Sequence, residues 1–205
     1  MSDEQTEQSS LFGNDAPLIE SRETLADINR EMTERASLYP EIKDRPLMFG
    51  EGETNIKLAL VGESPSPPDV GSGHLFTGPS GDLLDRILAA INMSRKDLYI
   101  TNTIKMICSG EEITPSVLSF FTPYLHREIA VVRPRIIIAS GNTPTKALLN
   151  SKKGITQMRG EFHNYNGAQL MPMFNPAYLL RDPTKKREVW EDMKKVRDLY
   201  NSLKD

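Results

Sequence analysis

The chain has 205 residues, 38% of them hydrophobic and 26% charged, with a formal net charge of -3 and a pI near 5.7. That length bounds one domain with a sizeable core plus some excess, and the acidic balance excludes a protein that wraps nucleic acid through overall basicity. Cys108 is the single cysteine, which rules out an intramolecular disulfide and any all-cysteine metal or cluster site within one chain.

Residues 1–20 are polar and acidic apart from a few apolar side chains such as Leu11 and Phe12, and bury too little surface to order themselves. They read as a flexible acidic tail, with 21–205 as the folded domain. Residues 1–50 hold 11 acidic and 5 basic side chains against 28 and 25 in the whole chain, so the remainder is net basic and is the part suited to a phosphate backbone. No apolar run approaches the roughly 20 residues needed to span a bilayer, and the N-terminus has no signal-peptide pattern. The expectation is a cytoplasmic protein without membrane contact, acting as a monomer.

In chain order, Ser21 and Glu23 followed by Leu25, Ile28, Met32 and Leu38 predict a helix that ends in the turn-prone stretch around Pro40. The short apolar run 57–61 ends in Gly62 and suits a buried strand feeding a loop. Similar runs follow at 98–101, 135–140 and 169–174. Amphipathic stretches at 81–91, 115–132, 143–149 and 185–203 alternate with them. Strands alternating with helices imply a three-layer α/β/α sandwich around a central, mostly parallel four-stranded sheet. In such sheets ligands bind outside the carboxyl ends of the strands, which directs attention to residues 62–81, 102–110, 141–143 and 175–183.

The first of these segments, GESPSPPDVGSGHLFTGPSG, carries five Gly and four Pro over twenty residues, so its backbone is set for sharp turns and close approach. Gly62-Glu63-Ser64-Pro65, Asp69, Phe76-Thr77-Gly78 and Gly81 resemble the motif GEAPG…ED…G.PF.G..G of the family-4 branch of the uracil-DNA glycosylase superfamily. Tyr99 to Lys105, YITNTIK, is similar to that branch's strand end, Met158-Arg159-Gly160 to its L-R-G, and Pro176 to Pro183 with Lys186 to Asp192 to its HPAYLLRNP…KREVWEDL signature. The likeness runs in order from about Phe49 to Tyr200.

This resemblance implies an enzyme that flips uracil out of DNA and hydrolyses its N-glycosidic bond, with no metal and no cofactor. Phe76 would lie under the flipped base. The amide of Asn102 offers both a donor and an acceptor, as O4 and N3–H of uracil require. The backbone N–H at Ser64 and the residue before Pro176 would meet O2, while Glu63 and Asp69 would position water or stabilise the sugar cation. Leu179, Leu180 and Arg181 lie on the segment that enters the duplex and touches phosphate, although a core helix start competes for one of the two leucines. Lys105 is expected to contact phosphate or to pack, and no residue is marked as a lyase lysine.

Two departures stand out. Met106 and Phe121 occupy positions where the family has cluster cysteines, so packing among them and the N-terminal helix is expected to replace an iron–sulfur cluster. Asn175 stands where the family usually has His, and its amide can donate to O2 without the same polarisation. Asn-Pro here also resembles the mismatch-specific branch. Two alternatives therefore stay open: a glycosylase for another deaminated base such as hypoxanthine or xanthine, and a catalytically silent DNA- or clamp-binding module. Finally, Gln8, Leu11 and Phe12 form a segment that resembles the Gln-x-x-Leu-Phe peptides with which bacterial repair proteins dock on the replicative sliding clamp.

Overall fold

A computed structural model describes residues 23–203. The tail residues Gln8, Leu11 and Phe12 lie outside the described residues.

The first helix, α1 (Leu25–Ala36), is fixed by Thr24, whose side chain accepts from the Asp27 amide while the Asp27 carboxylate accepts from the Thr24 amide. The cap falls on Thr24, and Leu38 lies beyond the helix, 78% exposed. Among the described residues five strands follow: β1 (Leu58–Gly62), β2 (Leu98–Asn102), β3 (Ile136–Ser140), β4 (His163–Tyr165) and β5 (Ala168–Met173). The further α-helices among the described residues are α2 (Pro67–Ser72), α3 (Gly78–Ala90), α4 (Pro115–Val132), α5 (Asn142–Leu149), α6 (Ile155–Met158), α7 (Pro176–Arg181) and α8 (Lys186–Ser202).

The sheet runs β2-β1-β3-β5-β4, parallel except for β4, which pairs antiparallel with β5. The four predicted strands are present, and β4 is the addition. It exists because Asn166 and Gly167 both take positive φ, +48° and +90°, the two-residue turn that returns a strand onto its neighbour.

β1, β2 and β3 are buried along their whole length, so both faces of the sheet are covered. Alternate residues divide between the layers. Leu58, Leu60, Ile100 and Ile138 pack with Leu84 and Leu88 of α3 and Met193 and Val196 of α8. Ala59, Val61, Tyr99 and Ile137 pack on the other side with Leu125, Ile129 and Val132 of α4. A third cluster joins Met106 and Phe121, each 0% exposed, to Ile28 and Met32 of α1 and to Ile42. Thioether and aromatic packing thus fills the region where cluster ligands were expected to be missing.

Because β1 connects forward to β2 on one side while β3 lies on its other side, the strand order reverses between β1 and β3. A crevice opens at the carboxyl ends of strands at such a reversal.

Candidate active site

The crevice has a volume of about 560 Å³, in the range of small-molecule pockets, and draws its walls from all four parallel strand ends. Glu63 and Ser64 follow β1, Asn102 closes β2, Gly141 follows β3, and Asn175 follows β5. Phe76 and Asp69 come from the connection after β1, and Arg181 from the end of α7.

Phe76 holds φ at +52°, a region that a bulky L residue rarely visits and that costs on the order of 1–3 kcal/mol. Its ring stands over the end of β1. A Cβ at Gly62 would fall 2.6 Å from Phe76 Cζ and 2.2 Å from Asn102 Oδ1, so glycine there is what lets the ring and the amide converge. At Gly81 a Cβ would fall 1.8 Å from the Phe76 carbonyl oxygen, which makes glycine obligatory in the first turns of α3 as well.

Asn102 is 2% exposed, and its Nδ2 has no hydrogen-bond partner among the described residues. Leaving a buried donor unmatched costs about 1–3 kcal/mol. The fold therefore keeps, at the end of the fully buried strand β2 and beside an aromatic face, an amide whose donor meets no acceptor among the described residues.

Glu63 is half-buried, and one of its carboxylate oxygens accepts from the Thr143 hydroxyl of α5. Thr143 was not singled out in the sequence; only its position in a strand-end segment pointed toward it. Asp69 lines the crevice, yet its carboxylate is engaged by its own loop. Oδ1 accepts from the Thr77 amide at 2.7 Å and the Thr77 hydroxyl at 3.0 Å, and Oδ2 accepts from the Ser66 amide at 2.8 Å. With the side chain 4% exposed, this geometry gives Asp69 the work of shaping the loop rather than holding water.

Asn175 is the N-cap of α7: its Oδ1 accepts from the Ala177 amide at 2.8 Å, and its Nδ2 donates to the Ser140 carbonyl at 3.2 Å. An amide nitrogen carries two hydrogens, so one N–H remains beyond that bond. Ser64 and Cys108 line the same wall, and burial pushes the Cys108 thiol upward, which suits an unreactive side chain.

Two expectations for DNA contact are corrected. Lys105 is 1% exposed, its ammonium held by Glu128 Oε2 and Thr101 Oγ1, each at 2.5 Å, so it cannot reach a phosphate. Leu179 is 0% exposed within the core, because successive helical residues point about 100° apart and α7 turns one leucine in and the next out. Leu180 is 43% exposed, and Arg181 is exposed at the crevice rim. No group of three or more His, Cys, Asp or Glu side chains suited to a metal occurs among the described residues, and no described helix is long and apolar enough to cross a membrane.

Comparison with known proteins places these features in a family. The sequence pattern of the uracil DNA glycosylase superfamily matches residues 49–194. A Type-4 uracil-DNA glycosylase of Thermotoga maritima is 30% identical over 183 residues, covering 86% of this chain and 95% of that protein. Its counterpart from Saccharolobus solfataricus is 32% identical over 165 residues, 75% of this chain and 76% of that one. A third, from Archaeoglobus fulgidus, is 27% identical over 188 residues, 86% and 94% of the two chains.

Proposed function

Because the chain belongs to the uracil DNA glycosylase superfamily, we propose that it removes uracil from DNA by flipping the base into the crevice and hydrolysing its N-glycosidic bond, leaving an abasic site. The observation that carries this reading is the buried Nδ2 of Asn102, unpartnered among the described residues, beside the ring of Phe76. Uracil stacked on Phe76 directs O4 toward Nδ2 and N3–H toward Oδ1. Cytosine presents the opposite donor pattern at both atoms and leaves the buried amide mismatched, a kind of discrimination worth about 10⁴-fold or more.

When the bond from the sugar to N1 breaks, its electron pair leaves with the base and positive charge develops on the sugar. The Ser64 backbone N–H and the remaining Asn175 N–H are the donors assigned to O2, where the departing negative charge collects. The Glu63 carboxylate, which accepts from the Thr143 hydroxyl, is the group assigned to the sugar cation and the attacking water. Outside the crevice, Leu180 fills the gap left in the stack and Arg181 takes a backbone phosphate.

Labelled oligonucleotides carrying one uracil, single-stranded or opposite G or A, test the reading after alkaline cleavage of abasic sites. Scission at the uracil position is the expected result. Scission only at hypoxanthine or xanthine would move the assignment to another deaminated base, toward which the capped Asn175 leans, and scission at none of them would leave a DNA-binding module.

We also propose that residues 8–12 dock on a replicative sliding clamp through Gln8, Leu11 and Phe12. Deleting residues 1–16 is expected to abolish retention on immobilised clamp and to leave excision from short oligonucleotides unchanged. Full retention by the truncated protein overturns this.

A further inference from the structure

We infer that Arg95, outside the crevice and without contact to any base, is a positioning residue that keeps Phe76 in its left-handed conformation and so sets the platform on which the flipped base lies. The inference rests on the excision reading above.

The peptide groups around Phe76 are held from three directions. Arg95 Nη1 donates to the Leu75 carbonyl at 2.7 Å, and Arg95 Nη2 donates to the carbonyl of Phe76 itself. Glu51 Oε1 accepts from the Leu75 amide at 3.0 Å, and Asp69 Oδ1 accepts from the Thr77 amide at 2.7 Å. Asp85 steadies the guanidinium by accepting from Nε at 2.7 Å. A strained backbone persists only where its surroundings over-determine it, and here the carbonyls and amides on both sides of the strained residue are engaged by charged groups.

The anchors share one frame. Arg95 lies in the short 3₁₀ turn 95–97 that leads directly into β2, and Glu51 bridges Ile100 of β2 through two backbone hydrogen bonds of 2.9 and 2.8 Å. Asn102 ends that same strand. The clamp therefore references the stacking ring to the strand that carries the base-reading amide, so the distance between platform and amide is set by β2. Only a planar fork reaches two successive carbonyls while its Nε holds a carboxylate; a lysine at this position has a single ammonium and loses at least one of the three bonds.

A double-mutant cycle on the full chain tests this. In single-turnover excision, Arg95→Ala is expected to lower kcat/KM about tenfold, with partial recovery in Arg95→Lys, and to change it less than twofold when placed on Phe76→Ala. A merely structural role predicts the same loss in both backgrounds, and that result, or no loss in either, overturns the inference. Urea midpoints of the four proteins separate the effect from global stability, because any destabilisation by Arg95→Ala persists in the Phe76→Ala background. Amide hydrogen exchange gives a readout independent of catalysis: exchange at Leu75 and Thr77 is expected to quicken about tenfold in Arg95→Ala. Unchanged exchange overturns the clamp whatever the activity, whereas quickened exchange in a protein that excises no uracil sustains the clamp and overturns the excision reading alone.

Discussion

Asn102→Ala is expected to lower uracil excision by about 10²–10³-fold while leaving the urea midpoint unchanged or raised. The two halves of that result come from one observation. The Nδ2 of Asn102 is buried without a partner among the described residues, so in the folded protein it is a cost rather than a bond, and truncating it removes about 1–3 kcal/mol of unmet desolvation. The same truncation removes both groups assigned to the Watson–Crick edge of uracil. Asn102→Asp, which keeps the shape and replaces the donor with a second acceptor, is expected to be as poor as the alanine variant on uracil. Steady-state excision and urea unfolding of the same preparations check this pair of effects. Retained activity within tenfold would show that the amide does not read the base, and a large loss of stability would show that it is a structural side chain.

Much of this arrangement was legible in the sequence, for reasons that can be traced to particular residues. The apolar runs at 57–61, 98–101, 135–140 and 169–174 became four buried parallel strands because both faces of such a sheet are covered, which removes the alternation an exposed face would need. Once the strands were fixed, topology brought Glu63, Phe76, Asn102 and Asn175 to one crevice without any contact having to be guessed. What escaped depends on partners distant in sequence, on a single residue of register, or on local geometry too short for a period to reveal. Nothing local to Lys105 reveals that Glu128 of α4 lies against it. Leu179 and Leu180 are equivalent as letters and opposite in space. Asp69 shows its capping geometry only when Ser66 and Thr77 close around it. The strand β4 is three residues long, too short for periodicity, and only the Asn166-Gly167 pair signalled its turn.

The buried pair Lys105–Glu128 supplies the largest effect expected on stability. The two side chains are 1% and 4% exposed, and the carboxylate also accepts from Tyr99 Oη at 2.8 Å and Thr101 Oγ1 at 2.9 Å. Burial and the neighbouring carboxylate hold the Tyr99 hydroxyl well above its ordinary pKa, so it stays a donor to Glu128. The segment before β1 seals the network, since a Cβ at Gly50 would fall 2.4 Å from Glu128 Oε1. Removing one charge strands the other in a medium that cannot solvate it, so Lys105→Met and Glu128→Gln are each expected to destabilise the fold by about 3–5 kcal/mol. Combining them leaves a neutral pair in which the amide oxygen of the new glutamine can still accept from Tyr99 and Thr101. The double variant is therefore expected to be more stable than either single one, with a coupling of about 2 kcal/mol or more in urea unfolding. Additive losses would mean that the two charges do not compensate each other, and that Lys105, just beyond β2, is buried there without electrostatic benefit from its partner.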